Sequence, residues 1–492
     1  MKLSEILDSI SPLVVSYCLN GSDPEIVKVT SHSSEIVPGS LFVCIEGTQF
    51  DSHQLAKEAV EKGAVALVVE KSVDVNKVPL IRVKNSRKAE AMLAFEFAGN
   101  PHQNLSVIGI TGTNGKSTVA KFLHDALNVL GKSTALAGTV YYVVGDEKIS
   151  FPKHTTPPPR ELANLMKMAV EKGFEYFVME VSSHALKQHR VAPLTFDVAV
   201  ITNITRDHLE LHGSLEDYIL TKLSIANHLE SEGILLASSD HVEISRIPLD
   251  RNRILTYGKG RDAQIRISNV SISSDGSKFW LDTPFGSHPF MTKLVGEHNV
   301  YNLTAGVGVL LTLGFGLQEI ADRVLEFTGL EGRFQFLPSV SMSLGFDVVI
   351  DFAHTPDALY RVIKTARQIT KGRVILVFGA GGLADPGKRP IMGRVASKYA
   401  DVAILTMDDP KSEDPDKILE DVIQGMDKDA PYLVIPDRRE AIEMALTVAN
   451  KGDIVLITGR GHEEFIPLKD KMIPFKDARV VEEIARKLGG KR

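Results

Sequence analysis

The 492-residue chain is long enough for about three domains at roughly 150 residues each, every one able to bury its own core. Its 56 Lys and Arg against 62 Asp and Glu give a net charge of −6 with no long block of one sign, which argues against a basic nucleic-acid-binding face. With 43% hydrophobic and 24% charged residues the composition is that of an ordinary folded protein, and two cysteines, Cys18 and Cys44, exclude a disulfide framework or a Cys/His zinc cluster.

At the N-terminus, Lys2, Glu5 and Asp8 stand where a signal peptide needs an apolar core, and apolar runs such as AVALVV at 64–69 are too short to span a bilayer. The expectation is a soluble cytoplasmic protein with no membrane contact. The first hundred residues hold short apolar runs (SLFVCIEG at 40–47, AVALVVE at 64–70, PLIRVKN at 79–85) separated by helix-like stretches such as HQLAKEAVEKG at 53–63, which predicts a small α/β domain. Turn formers at 99–104 (GNPHQN) end it, so the first domain is placed at 1–100.

From LSVIGI at 105–110 onward, strand-like runs (FEYFVMEV at 174–181, FDVAVITNI at 196–204) alternate with helical periodicity, the signature of a mainly parallel sheet, and alternating segments at 265–295 predict an antiparallel hairpin region. This second domain is placed at 101–331. After GLEGR at 329–333, five further runs (DVVIDFA, RVILVFGA, DVAILTMD, PYLVIPD, DIVLITG) each pair with a helix-length segment, giving a Rossmann-like third domain over 332–492. The fold class is therefore α/β: a central P-loop parallel sheet flanked by a small N-terminal α/β domain and a C-terminal Rossmann-like one.

The strand SVIGI runs into TGTNGKST at 111–118 and then into a helix whose Val119, Phe122, Leu123, Ala126, Leu127 and Leu130 fall at helical spacing. Gly112 and Gly115 let the backbone wrap an anion, the helix N-terminus points its amides at it, Lys116 adds charge and Ser117 can ligate Mg²⁺. The longer Walker spacing would need Gly at 110, where this chain has Ile110, so the match is to a shorter TGxxGKS form; a nucleoside triphosphate is the expected ligand.

Glu180 ends a strand of the same sheet and is a candidate Mg²⁺ ligand; Asp207 and His208 follow the next strand, where a histidine taken alone reads as a structural hydrogen-bonding group. Ser214 with Asp217 predicts a capped helix over SLEDYILTKLSIANHL, in which Lys222 shares a face with Leu215, Tyr218, Ile219 and Ala226. On the residues alone, Lys222 reads as a packed stem with its ammonium reaching water, the sharper alternative being a buried amine of low pKa. Gly379, Gly381 and Ala384 fit a dinucleotide pattern, but Pro386, Gly387 and Pro390 stand where its helix should begin, so NAD is set aside.

The motifs TGTNGKS, TTP at 155–157, EVSSHAL at 180–186, TNITRDHLELHG at 202–213, GEHNVYN at 296–302, DFAHTPDAL at 351–359, KRPIMG at 388–393, DDPKSEDP at 408–415, DRREAI at 437–442 and GRGHEE at 459–464 together resemble the Mur ligase family. The resemblance runs from HSSEIVPGSLFVCIEG near the N-terminus through all three predicted domains, and within the family it is to the branch that adds the third, diamino acid residue of the peptidoglycan stem peptide. It implies an ATP-dependent, amide-forming ligase of peptidoglycan precursor synthesis, and through that a part in cell shape and division. The substrates implied are a UDP-N-acetylmuramoyl-dipeptide and a diamino acid, the cofactors ATP and Mg²⁺, and the state a monomer.

Residue by residue, the resemblance assigns Gly112, Thr113, Asn114, Gly115, Lys116, Ser117 and Thr118 to ATP, together with Asn302 at adenine, Asp351 at ribose and Arg333 from the hinge. It assigns Mg²⁺ to Ser117, Glu180, His208 and Lys222, the last as N6-carboxylysine, which reverses the reading of that lysine from the residues alone. Lys116, Lys222, Arg333 and His208 are thereby the expected catalytic set. Ser33, Thr48 and Gln49 resemble uridine-binding residues; Thr155, Thr156, Ser182, Gln188 and Arg190 resemble those at the muramoyl-dipeptide and its diphosphate, with His154 where relatives often have Asn. Arg389, Asp408, Asp409, Pro410, Lys411, Gly459 and Glu463 match the pocket for the incoming amino acid.

That pocket is where the chain departs most. Relatives using meso-diaminopimelate carry DNPR, whose Arg can fork onto the far carboxylate; here Asp409 makes the run more anionic and Lys411 lacks the fork. The expectation leans to lysine as the amino acid added, with meso-diaminopimelate as the alternative. A folylpolyglutamate synthase-like ligase, which would need neither the N-terminal domain nor the GRGHEE pocket, and a non-ligating nucleotide switch are the more distant readings.

Overall fold

In a computed structural model, residues 1–47, 50–150, 154–469 and 471–489 are described, and they form two compact units. The first comprises residues 1–111, 130–199 and 224–234, the second 112–129, 200–223 and 235–492. Among the described residues no helix is long and apolar enough to cross a membrane.

The first unit opens with a five-stranded sheet in the order Val14–Cys18, Leu80–Val83, Ala64–Val69, Ser40–Val43, Lys28–Thr30, parallel except for its first strand. Alternate residues of one strand serve different cores: Leu41, Val43, Ala66 and Val68 pack with Leu3, Ile6 and Leu93 on one face, while Phe42, Cys44, Leu67 and Val69 pack with Ala56 and Ala59 on the other. Burial on both faces is why these strands read as unbroken apolar runs. The expected helix over 53–63 is a 3-10 turn, Ser52–Leu55, leading into Ala56–Glu61, with Asp51 accepting from the His53 amide as its cap. The antiparallel edge strand Val14–Cys18, four of whose five residues are exposed, is not among the strands expected from the sequence.

The same unit holds Ser106–Thr111, Tyr176–Glu180 and Thr134–Ala137 as a parallel set, with Tyr176–Glu180 in the middle and the antiparallel strands Tyr141–Val144 and Glu147–Ser150 beyond Thr134–Ala137. The carboxyl ends of its parallel strands bring Thr111 and Glu180 to one edge.

In the second unit, helix Lys116–Val129 packs on helix Glu297–Thr312 so closely that a Cβ at Gly306 would lie 2.3 Å from the Phe122 ring. The antiparallel region expected at 265–295 is a three-stranded meander, Ile265–Ser273, Gly276–Thr283 and Gly286–Thr292. The predicted helix after Ser214 is capped by the Ser214 hydroxyl, which accepts from the Asp217 amide at 3.1 Å, but its α-helical part ends at Leu223 and Ser224–His228 continues as 3-10 helix.

The C-terminal sheet runs Gln335–Phe336, Asp347–Asp351, Ile454–Thr458, Val374–Phe378, Val402–Leu405, Tyr432–Val434, parallel after its first strand. Helices Pro356–Ile369, Arg389–Tyr399 and Pro415–Ile423 cover one face, and Pro338–Leu344, Arg438–Val448 and Asp477–Gly489 the other. Because the strand of this sheet that comes last in the chain inserts between the first two long ones, the carboxyl ends of Asp347–Asp351, Ile454–Thr458 and Val374–Phe378 meet at a change in strand order, where such sheets bind ligands.

Candidate functional site

The strand Ser106–Thr111 turns into helix Lys116–Val129 through four residues. Gly112 has φ +144° and Gly115 φ +90°, and added Cβ atoms would lie 1.9 Å from Thr202 Oγ1 and 2.2 Å from Asn302 Oδ1, so only glycine fits either place. The run TNIT at 202–205 holds this turn from the side. Thr113 N donates to Asn203 O (2.8 Å), Asn114 N to Asn203 Oδ1 (3.0 Å), Thr202 Oγ1 to Asn114 O (2.6 Å), and Thr205 N to Thr113 Oγ1 (2.9 Å). Thr202, Asn203 and Thr205 were not singled out beforehand, since nothing in the sequence says which distant run lies beside the loop.

Two lysines converge on the turn. Lys116 Nζ donates to Gly112 O at 2.9 Å and Thr113 O at 3.0 Å, and Lys222 Nζ donates to Gly112 O at 2.8 Å. Lys222 is 2% exposed, its ammonium 4.8 Å from the centre of the Tyr218 ring, whose hydroxyl lies 3.0 Å from Thr113 Oγ1. The reading of a lysine reaching water is thus overturned: the stem points the ammonium inward onto the Gly112 carbonyl, where it is buried. Burial pushes the Lys222 pKa well below its ordinary value, the nearby Lys116 charge adds to that, and Asp207 opposes it.

Asp207, also buried, lies 3.3 Å from His208 Nε2 and 3.5 Å from Lys388 Nζ. Burial alone would raise its pKa; His208 and Lys388 outweigh that and hold the carboxylate ionised. His354 packs nearby and is pushed down to about 4 by burial and the Lys388 charge. Lys388 is 4% exposed and was missed in the sequence, where it is one more lysine in KRPIMG.

The loop opens into a cleft of about 820 Å³, including its mouth, to which Ser117, Thr118, Asn302, Arg333 and Asp351 all contribute. Arg333 donates to Ser117 Oγ at 3.3 Å and lies over the Phe352 ring at 4.5 Å. Asp351 lines the cleft with both carboxylate oxygens engaged by backbone, accepting from Phe334 N at 2.6 Å and Ala353 N at 2.7 Å; in this way it fixes Phe334 at φ +47°. His241, Tyr257, His298 and Tyr301 form the far wall.

In the first unit, Thr155, Thr156, Glu180, Ser182, Gln188 and Arg190 lie together. Glu180 accepts from Thr139 N (2.7 Å) and Thr139 Oγ1 (3.0 Å), and the Thr139 and Thr155 hydroxyls lie 3.2 Å apart. Thr156 Oγ1 bonds Glu180 O and Ser182 N, Arg190 donates to Thr156 O at 2.9 Å and to Gln188 Oε1 at 2.7 Å, and Ser182 caps helix Ser183–Lys187. His154, exposed, accepts at its carbonyl from Tyr142 Oη. Ser33 lies in the turn Ser33–Glu35; Thr48 and Gln49 lie outside the described residues.

At the C-terminal sheet, Arg389 is buried and forked onto Glu413 (2.7 Å to each oxygen), with Asp421 at 2.9 Å. Asp408 sits under Gly459, where a Cβ would lie 2.5 Å from its Oδ2, and faces Arg460 at 3.8 Å. Arg460 is buried and pairs with Glu463 at 3.1 Å. Burial raises the pKa of Asp408 and Asp409, and of Glu463 to about 7. Pro410 is buried, while Lys411 is exposed, at φ +53°, and donates its amide to Pro467 O. The glycine run at 379–381 leads into a turn and a helix that starts only at Arg389, so the dinucleotide pattern lacks its helix.

Residues 25–106 match the Mur ligase family catalytic domain, 110–310 the Mur ligase middle domain, and 332–461 the Mur ligase glutamate ligase domain. The chain is 41% identical over 462 residues to the UDP-N-acetylmuramoyl-L-alanyl-D-glutamate--2,6-diaminopimelate ligase of Aquifex aeolicus (strain VF5), covering 94% of this chain and 93% of that one. It is 40% identical over 494 residues to the ligase of the same name from Geobacillus kaustophilus (strain HTA426), covering 99% and 100%. A solved structure of a ligase of that name superposes with a TM-score of 0.66 at 30% identity, covering 94% of this chain and 95% of that one. With all three domain matches in order and such identity over nearly the whole length, this chain belongs to the Mur ligase family and has its three-domain α/β fold.

Proposed function

We propose that this Mur ligase joins 2,6-diaminopimelate to UDP-N-acetylmuramoyl-L-alanyl-D-glutamate with cleavage of ATP to ADP and phosphate. The observation that carries the substrate is whole-length identity of about 40% to enzymes bearing that name. The lean toward lysine is therefore corrected. It treated Asp409 as an uncompensated charge, whereas the fold sets Arg460 and Arg389 among the acidic residues and burial favours the neutral form of Asp409. A second carboxylate on the substrate is not excluded by such a pocket.

A carboxylate is a poor electrophile. Its oxygen attacks the γ-phosphorus of ATP, ADP leaves, and the resulting acyl phosphate is attacked at carbon by the amine of diaminopimelate; phosphate leaves and the amine loses a proton. Lys116, Arg333 and the N-terminus of helix Lys116–Val129 are suited to hold the negative charge that collects on the phosphoryl oxygens. Asn302 and Asp351 are assigned to the nucleoside, Thr155, Thr156, Ser182, Gln188 and Arg190 to the muramoyl-dipeptide, and Ser33, Thr48 and Gln49 to uridine. Arg389, Asp408, Asp409, Pro410, Lys411, Gly459 and Glu463 are assigned to the amino acid, with Arg389 acting through Glu413 and Asp421, to which it is bonded.

Among the described residues no three of His, Cys, Asp and Glu gather as a ready metal site. The donors fit Mg²⁺ all the same, because that ion takes one or two carboxylates and completes its shell with phosphate oxygens and water. Ser117, His208 and Lys222 are the proposed ligands within the second unit, and Glu180 is proposed as a Mg²⁺ ligand by resemblance alone. Bound Mg²⁺ would neutralise phosphate charge as a Lewis acid. Burial favours a neutral Lys222 amine, the form that adds carbon dioxide to give a carbamate and a proton, and that carbamate is the anionic ligand required. The chain is further proposed to act as a cytoplasmic monomer with domains at 1–100, 101–331 and 332–492, binding the UDP substrate, ATP and the amino acid respectively.

The test is mass spectrometry of products from the purified enzyme with ATP, UDP-N-acetylmuramoyl-L-alanyl-D-glutamate and, separately, 2,6-diaminopimelate, L-lysine and D-lysine. Product should require both substrates and favour diaminopimelate. A tenfold preference for lysine would overturn the substrate, and phosphate release without the dipeptide would overturn the ligase.

A further inference from the structure

The run DRREAI at 437–442 stands out in the sequence, and the function proposed above leaves it without a role. Its Arg438 begins helix Arg438–Val448 beside the C-terminal sheet and is 1% exposed. Asp477, in the first turn of helix Asp477–Gly489, is buried against it. The two form a fork: Arg438 Nε donates to Asp477 Oδ1 and Nη2 to Oδ2, each at 2.8 Å. The guanidinium has donors left over, and they reach the ends of two different strands. Nη2 donates to Thr458 O at 2.8 Å and Nη1 to Met407 O at 3.3 Å. Thr458 and Met407 immediately precede Gly459 and Asp408, both assigned above to the incoming amino acid. Gly459 and Asp408 leave each other no room, since a Cβ on Gly459 would lie 2.5 Å from Asp408 Oδ2. Their spacing is therefore sensitive to where the two preceding carbonyls are held.

We propose that Arg438, oriented by Asp477, is a positioning residue for the amino-acid pocket: it sets the distance between the Asp408 and Gly459 runs by gripping the carbonyl before each. The proposal rests on the assignment of Asp408, Gly459 and Glu463 to the amino acid. Stability alone does not call for an ion pair here. Taking two charges out of water offsets most of what their attraction returns, and apolar side chains of similar volume fill such a space about as well. Neither they nor a lysine can supply a planar group that pairs a carboxylate on one edge and donates to two carbonyls elsewhere. Arg438 also acts on the charge of the pocket: burial raises the pKa of Asp408, and the Arg438 charge is the foremost influence opposing that.

The experiment compares full-length wild type, Arg438→Lys, the double variant Arg438→Met with Asp477→Leu, and Glu463→Gln. Each is measured by melting temperature, kcat, and KM for 2,6-diaminopimelate, ATP and the UDP substrate. Arg438→Lys keeps the charge and loses the fork. The double variant loses both but leaves no unpaired buried charge, so it carries the test should the lysine variant fail to fold. Both should raise KM for diaminopimelate about tenfold, with KM for ATP and for the UDP substrate within about twofold of wild type. A residue that served only the fold would lower melting temperature and the active fraction, and would leave all three KM values unmoved. That pattern in the Arg438 variants, with Glu463→Gln still raising KM for diaminopimelate, would overturn the role of Arg438 alone. KM for diaminopimelate unmoved in every variant, Glu463→Gln included, would overturn the placing of the amino-acid pocket and the role of Arg438 with it.

Discussion

The phosphate loop and the amino-acid end of the C-terminal sheet handle charge in opposite ways. The loop is one contiguous run whose backbone is shaped by two glycines and held by TNIT, with Lys116 donating to Gly112 O and Thr113 O and Arg333 to Ser117 Oγ. The amino-acid end is assembled from runs near 381–389, 408–421 and 459–463, in which Arg389 and Arg460 are matched against Glu413, Asp421, Asp408 and Glu463. In the first region the charged groups sit on backbone and hydroxyl oxygens of a single run; in the second, acidic and basic side chains from three runs face one another, so a single substitution in the run says little about which substrate fits. That is why the strand–turn–helix form of the phosphate loop is readable from its residues while the lysine preference drawn from Asp409 and Lys411 is not supported.

The largest expected effect falls on the phosphate loop. Lys116→Ala should lower product formation by roughly 10²–10³-fold or more, with melting temperature and circular dichroism unchanged, since its ammonium serves loop carbonyls and not the core. Near-normal turnover would remove the phosphate-loop assignment.

Lys222→Ala should lose about as much activity, and formate or acetate should restore part of it by standing in for the missing carbamate. Native mass spectrometry of active enzyme should show one added carbon dioxide, which acid treatment removes. Full activity of the variant, or a free amine in active enzyme, would end the carbamate proposal.

In the compensated region effects should be smaller and selective. Lys411→Arg with Asp409→Asn should raise kcat/KM for 2,6-diaminopimelate over lysine by about tenfold, the scale of one forked charged contact. An unchanged ratio would show that the exposed Lys411 does not reach the substrate.

The smallest effect concerns stability. Burial raises Glu463 from 4.5 to about 7, so the folded state favours the protonated acid, and this contribution is present below about pH 4.5 and lost as pH rises toward 7. Glu463 is about one-third exposed, so solvent screening reduces the effect to about 1 kcal/mol. Glu463→Gln should therefore melt higher relative to wild type at pH 8 than at pH 5; an equal difference at both values would show that Arg460 fully offsets the burial.

Residues next to one another in sequence, and the backbone conformations they impose, are legible from the chain: the strand–glycine–helix passage at 106–129, the cap at Ser214 and the alternation that gives an α/β fold. These depend on local spacing, and local spacing is written in the chain. Tertiary structure alone decided which lysine is buried, that Thr202 and Asn203 grip the loop, that Lys388 pairs with Asp207, and that Arg389 is already taken by Glu413 and Asp421. Each of those turns on two groups far apart in sequence meeting in a low-dielectric interior, where the partner and not the residue type sets the energy of a charge.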